Sequence, residues 1–369
     1  MRIAWTVQEL MPFWVAFLVS GLIARPVFRA LLALKSKQVV SQYAPEGHQK
    51  KQGTPTMGGV IIVFGVLAGL VFQLLNLMDR RVGLGSSPHL ELEIGWCWSV
   101  AVLITGFALV GFVDDFVVPR MAAGKRGLGW KQKIVMQLVV AIVATGLVCG
   151  WKPTPQFGLY IFLILFGSNA YNFLDGLDAL AGCVLIILCC GLILVTSVLG
   201  GYALTSVLLA LIGATVPFLF LNAPPAKLFM GDVGSLPIGS VLGLVFAVMM
   251  SPPLEKLISF YQTLLGNPGP ALIGSFEWMP IIVSFLGLVL VAELVPVPLQ
   301  IFWVKVFKRK LFFYTPIHHA FEKKGWAETR VVCLFALTQF VLCVLAYTIV
   351  AKDLPVGGPD TPGMQIIGR

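Results

Sequence analysis

Apolar stretches of about 20 residues, the length a helix needs to cross a bilayer core, recur ten times in this chain. They lie at roughly 11–34, 57–78, 95–113, 133–150, 157–173, 180–199, 203–222, 235–250, 279–303 and 330–350, with ends that such a reading places only to within a few residues. The runs do not alternate between apolar and polar positions, so they predict helices and not the strands of an outer-membrane barrel. Charged residues make up 12% of the 369, half the ~25% of a soluble domain. A water-soluble fold is thereby excluded, and the 58% hydrophobic content excludes disorder. The expected fold is all-α: a single polytopic transmembrane domain over residues 1–369. Its ninth helix carries Glu293, Pro296 and Pro298 and is expected to break there, beside a cavity or groove. Met1-Arg2 is too thin an n-region for a signal peptide, and no A-x-A site follows the first run.

An even number of spans puts both termini on one side and the five odd loops on the other. Those loops, about 35–56, 114–132, 174–179, 223–234 and 304–329, hold 19 basic residues with their flanks against 8 acidic ones. The opposite side holds 7 basic and 9 acidic residues, counting Glu293. By the positive-inside rule the odd loops are cytoplasmic and both termini extracytoplasmic. The net charge of +9 is therefore a topology signal. No basic stripe with interleaved aromatics suggests a nucleic-acid partner. The seven cysteines sit in or beside apolar runs with no C-x-x-C, as small hydrophobes and not as a disulfide framework.

The polar chemistry gathers in the odd loops. Asp114-Asp115 follows an apolar helix directly. Two adjacent carboxylates at a helix C-terminus oppose its dipole and repel each other. They are either a solvated helix end or a pair that handles metal or phosphate, with one carboxylate as base or nucleophile. Asn172, Asp175 and Asp178 are spaced by three, which on a helical turn sets them on one face; Asp175 or Asp178 is equally suited to cap the sixth helix. Gly231-Asp232-Val233-Gly234-Ser235 opens the eighth helix, as a plain cap and turn or as a phosphate or Mg²⁺ site. His318-His319 lacks the spacing of a zinc motif and fits a phosphate contact or an ordinary polar loop. Lys51, Lys131 and Lys133 are anchors by the charge rule or phosphate ligands. No Walker loop, dinucleotide fingerprint or G-x-S-x-G occurs, which argues against an ATP-driven pump, a dinucleotide enzyme and an α/β-hydrolase. Carboxylates able to hold Mg²⁺ beside Lys and His describe diphosphate chemistry at a membrane face, with one lipid and one soluble substrate.

In order along the chain stand K-Q-G-T-P-T-M-G-G from Lys51, V-D-D at 113–115, N-F-L-D-G-L-D from Asn172, N-A-P-P-A-K-L-F-M-G-D-V-G-S-L from Asn222 and P-I-H-H-A-F-E-K-K-G-W from Pro316. This set resembles the phospho-N-acetylmuramoyl-pentapeptide transferases, the bacterial lipid I synthases of the polyprenyl-phosphate N-acetylhexosamine-1-phosphate transferase superfamily. The resemblance covers about residues 50 to 330 and the ten-helix plan, and it implies a multi-pass protein of the bacterial cytoplasmic membrane. It implies a peptidoglycan-precursor reaction in which undecaprenyl phosphate attacks UDP-MurNAc-pentapeptide, giving lipid I and UMP with Mg²⁺, and a homodimer. By motif position Asp114, Asp115 and Asp175 resemble the catalytic aspartates, Asp232 the Mg²⁺ ligand, and Lys51, Lys133, Asn172, Asn222, His318 and His319 substrate-binding residues. Direct attack with Asp114 as base is favoured over a phosphorylated aspartate. Three positions depart from the pattern: Ala320 where a third histidine is common, Ala179 for a usual glycine, and the proline pair in the ninth span. Rival readings are a cousin enzyme moving another UDP-sugar phosphate, a lipid transporter, and a non-catalytic scaffold. The enzyme reading requires Asp114, Asp115, Asp175 and Asp232 to meet within reach of one diphosphate.

Overall fold

The computed structural model describes residues 7–34, 53–85, 87–121, 127–199, 202–251 and 278–352. Its regular structure is helical: α1 Val7–Ala33, α2 Gly59–Leu84, α3 Pro88–Phe112, α4 Trp130–Cys149, α5 Pro155–Leu174, α6 Leu180–Leu199, α7 Tyr202–Asn222, α8 Asp232–Met249, α9 Met279–Leu294, α10 Pro296–Phe307, α11 Ile317–Lys323 and α12 Glu328–Lys352. Among the described residues nine helical segments are long and apolar enough to span a bilayer, with α9 and α10 counted as one; the sixth expected span falls in α6, whose apolar part, Leu180–Thr196, is shorter. The chain is a multi-pass membrane protein.

Local chemistry sets the helix starts. Ser87 accepts the Leu90 N–H at 3.2 Å and Pro88 opens α3; Thr154 accepts the Phe157 N–H at 3.2 Å and Pro155 opens α5. Both arrangements satisfy N–H groups that a helix start leaves without partners. Several helices outrun their apolar stretches. α2 continues to Leu84, where Arg81 pairs with Glu91 of α3 at 2.9 Å. Hydropathy stops at such charges, but a helix need not.

α8 is the axis of the bundle. Every residue from Val233 to Met249 is buried, with α5, α3 and α2 packed around it. Lipid tails are as apolar as leucine, so helices in a membrane associate through close packing of small residues. Gly167 of α5 faces Gly239 and Gly243 of α8: a Cβ on Gly167 would lie 2.9 Å from the Gly243 nitrogen. At the other end of the bundle axis a Cβ on Gly234 would lie 2.6 Å from the Gly59 Cα of α2. α1 packs on α2 and α7 by the same means, with Gly69 under the carbonyl of Pro12. The buried Ser20 and Ser99 hydroxyls donate to the carbonyls of Ile61 and Ala144 across helix pairs.

Two features differ from the sequence reading. The helix ladder ahead of Pro296 is interrupted at Val295, whose backbone remains right-handed helical; Pro296 and Pro298 have no N–H to continue it. The helix of Asp114-Asp115 also does not end at that pair. It passes through a π-helical stretch, Val113–Val117, and a further turn, Val118–Met121. The wider π turn re-aims side chains, which is why such turns recur at functional sites.

Candidate active site

Helix ends from across the sequence meet at the amino end of α8. Asp114 leaves the π stretch toward the start of α4: its Oδ1 accepts the Leu128 N–H at 2.5 Å and its Oδ2 the Lys133 ammonium at 3.2 Å. Lys133 also bonds the Asp232 carboxylate. The other oxygen of Asp232 accepts Asn172 Nδ2 at 2.7 Å, and that amide reaches Ser235 at 2.8 Å. Asp115 turns the other way, and its Oδ2 accepts the Asp232 N–H at 2.8 Å. Two adjacent carboxylates are thus held apart by separate donors, which answers the repulsion expected of them.

The G-T-P-T-M-G-G segment forms the floor. Phe229 N–H donates to Pro55 at 3.0 Å, Gly58 N–H to Phe229 at 2.8 Å, and Gly59 N–H to Met230 at 2.9 Å. This strap fixes the chain just before Asp232. Gly231 has φ +71, a conformation glycine adopts without penalty. A Cβ there would also crowd Asp115 Oδ2 and Thr56 Oγ1, both at 2.6 Å.

One oxygen each from Asp114, Asp115 and Asp232 lie within 4.8 Å of one another. Asp175 closes α5 next to this group. Burial is the main cause that pushes its carboxyl well above the usual carboxylate range; the charges of Asp232 and Asp115 add to it, and the Gly231 N–H opposes it. Lys133 gives one ammonium to two of these carboxylates, Asp114 and Asp232. Their donors are hard oxygens, with no thiol or imidazole among the three clustered groups, which suits Mg²⁺ or Mn²⁺ and not a soft metal. The residues fit such a cation.

The remaining expected residues serve in different ways. Asn222 is 3% exposed, and both ends of its amide are used: Oδ1 accepts the Ala179 N–H at 2.9 Å, and Nδ2 donates to Leu228 at 3.0 Å. Asp178 accepts the Ala226 N–H at 2.9 Å, so it ties the third loop to the fourth and does not share a face with Asp175. The Asp178 N–H in turn donates to Glu328 of α12 at 2.6 Å. His318 is buried against Glu293, and His319 Nδ1 lies 2.6 Å from Glu322. Lys131 sits over the Trp130 ring at 5.6 Å. Lys51 lies outside the described residues.

Sequence reasoning named Ser235 only as the end of the Gly231–Ser235 motif, and did not single out Leu128 or Glu328. Ser235 had a signal, since it stands three residues after Asp232 on a helix start. The Leu128 N–H and Glu328 had none, because a backbone donor and a loop partner 150 residues away leave no trace in spacing.

Two family profiles match the stretches that carry these residues. The profile described as Glycosyl transferase family 4 matches residues 97–251, the stretch that carries the aspartates and Lys133. The phospho-N-acetylmuramoyl-pentapeptide-transferase signature 1 matches residues 51–63, the strap segment. A phospho-N-acetylmuramoyl-pentapeptide-transferase of Bacillus cytotoxicus is 31% identical over 350 residues, covering 90% of this chain and 94% of the relative. One of Granulibacter bethesdensis is 30% identical over 366 residues, 89% of each. One of Clostridium perfringens is 29% identical over 349 residues, covering 90% and 96%. With that identity over nearly its whole length, the chain belongs to the phospho-N-acetylmuramoyl-pentapeptide-transferase family.

Proposed function

We propose that the protein transfers phospho-MurNAc-pentapeptide from UDP-MurNAc-pentapeptide to undecaprenyl phosphate, giving lipid I and UMP, at the cytoplasmic face of a bacterial inner membrane. The observation that carries this reading is the meeting of Asp114, Asp115 and Asp232 within 4.8 Å, beside Lys133, at helix ends of a membrane bundle. Soluble nucleotide and membrane lipid would meet at that level. The charge bias of the loops supports a cytoplasmic site and extracytoplasmic termini.

Mg²⁺, held by Asp232 with Asp114 or Asp115 in reach, would neutralise the diphosphate and the leaving UMP. Lys133 supplies a second positive charge and bridges Asp114 and Asp232. Asn172 orients the Asp232 carboxylate. The base that takes the proton of the lipid phosphate is one of the Asp114–Asp115 pair. Asp115 is the better placed of the two, since its Oδ1 takes no hydrogen bond among the described residues, whereas both oxygens of Asp114 are engaged. Asn222 acts by holding the third and fourth loops together. His318, against Gly176, and its neighbour His319 serve as the donor-binding element; Lys51, outside the described residues, is a further candidate substrate contact. The lipid chain would lie beside the ninth span, where Pro296 and Pro298 cannot continue the helix ladder.

The transporter reading is weakened, because Glu293, the acid of the ninth span, gives both carboxylate oxygens to His318. The test is UMP release by purified protein with polyprenyl phosphate and Mg²⁺. Turnover with UDP-MurNAc-pentapeptide is expected. Turnover with UDP-GlcNAc in its place would move the chain to the cousin reaction.

A further inference from the structure

We propose that Glu293, deep in the ninth span, is a positioning residue that sets the proton of His318 and thereby the histidine pair of the donor site. The inference rests on the assignment of His318 and His319 to donor binding. Glu293 is 0% exposed and His318 1%. Both carboxylate oxygens go to this one residue: Oε1 accepts the His318 backbone N–H at 3.1 Å, and Oε2 lies 2.8 Å from Nδ1. The first bond supplies a cap that α11 lacks in its own sequence, since Pro316 at its start offers no side-chain acceptor. The second selects a tautomer. A carboxylate only accepts, so Nδ1 carries the proton.

The opposite edge of the ring is the telling one. His318 Nε2 is buried and takes no hydrogen bond. It lies against Gly176, where a Cβ would come within 2.8 Å of the adjoining Cε1. Gly176 follows Asp175 directly, so the ring edge that Glu293 leaves without a proton faces the catalytic turn. His319 follows from the same anchor: its ring lies 4.2 Å from that of His318, and its Nδ1 is held by Glu322. A glutamine at 293 would cap α11 equally well. What only the acid does is fix the proton on Nδ1, and an acid within the bilayer is expensive enough to need such a role.

The test is Glu293→Gln, purified in detergent. Its amide NH₂ would donate to Nδ1 and drive the proton to Nε2. Spectra of protein labelled with ¹⁵N-histidine are expected to show His318 change from the Nδ1–H to the Nε2–H form. The KM for the nucleotide donor is expected to rise about tenfold or more, with kcat and the lipid KM changed by less than about threefold, and Glu293→Asp is expected to recover part of the loss. An unchanged tautomer, or an unchanged donor KM in folded Glu293→Gln, would overturn the proposal. Equal losses in kcat and both KM values would also overturn it, as a merely structural role. If Glu293→Gln does not survive purification, the ¹⁵N-histidine spectrum of the wild-type protein decides: His318 is expected in the Nδ1–H form, and the Nε2–H form would overturn the proposal. Failure of the underlying functional reading is distinguishable: wild-type protein would not turn over UDP-MurNAc-pentapeptide, whatever the tautomer.

Discussion

Gly111→Ala touches no catalytic group, yet the structure predicts that it disables the site. Gly111 lies near the end of α3, where that helix crosses the start of α8. A Cβ there would sit 2.5 Å from the Val233 nitrogen and against the backbone of Asp232. All the obstructing atoms are backbone, so no side chain can rotate away. Restoring an ordinary contact of about 3.5 Å requires α3 and α8 to part locally by about 1 Å. The bond from the Asp232 N–H to Asp115, now 2.8 Å, would stretch to about 3.8 Å, beyond hydrogen-bonding range. Overpacking of this kind costs about 1–3 kcal/mol of stability, and a misplacement of about 1 Å costs roughly 10²-fold in rate. The assay is UMP release beside a melting curve in detergent. Gly158→Ala is the control, since its Cβ would meet nothing within 4 Å; it should retain wild-type activity. Gly111→Ala protein that melts as the wild type and keeps turnover within about threefold would refute the claim that the α3–α8 approach aligns Asp115 with Asp232.

Further perturbations separate the roles of neighbouring residues. Lys133→Met leaves Asp114 and Asp232 without their shared ammonium and is expected to lower kcat by roughly 10²–10³-fold; a loss confined to KM would mean that Lys133 only binds. Asp175→Asn should abolish turnover yet raise the melting temperature in EDTA at pH 7. The sign follows from its raised carboxyl: the favoured native form is protonated, so its stability is full below the ordinary pKa of about 4 and is lost as pH rises toward the raised value. Melting curves at pH 7 and about pH 4 check this, and equal stability of variant and wild type at pH 7 would contradict it. Asn222→Ala strands the buried Ala179 N–H and Leu228 carbonyl, at a cost of about 1–3 kcal/mol; a folded variant whose only defect is donor KM would instead make Asn222 a direct substrate contact.

The helical class and the site's ingredients were legible in the sequence for different reasons. Long apolar runs are dictated by bilayer thickness, so ten of them fix the class without any knowledge of packing. Asp114, Asp115 and Asp232 stood out because carboxylates beside apolar helices demand an explanation. Spacing carried less. Asp175 and Asp178 suggested one face, but Asp178 turns to the Ala226 N–H, since the chain leaves the helix between them at Asp175. The helical continuation past Asp115 was hidden because the following Val118–Met121 turn carries Pro119 and Arg120, which read as loop. The partner of Glu293 was hidden by 25 residues of intervening chain. Bonds that join loops far apart in sequence are set by tertiary packing, and spacing within a motif does not report them.

The central claim is that Asp114, Asp115 and Asp232 make one divalent-cation site from two distant helices. Electron paramagnetic resonance of Mn²⁺ titrated into the purified protein tests it directly. One bound Mn²⁺ per chain is expected, displaced by Mg²⁺ and lost in Asp232→Asn. Mn²⁺ that binds the Asp232→Asn protein as it binds the wild type would contradict the account.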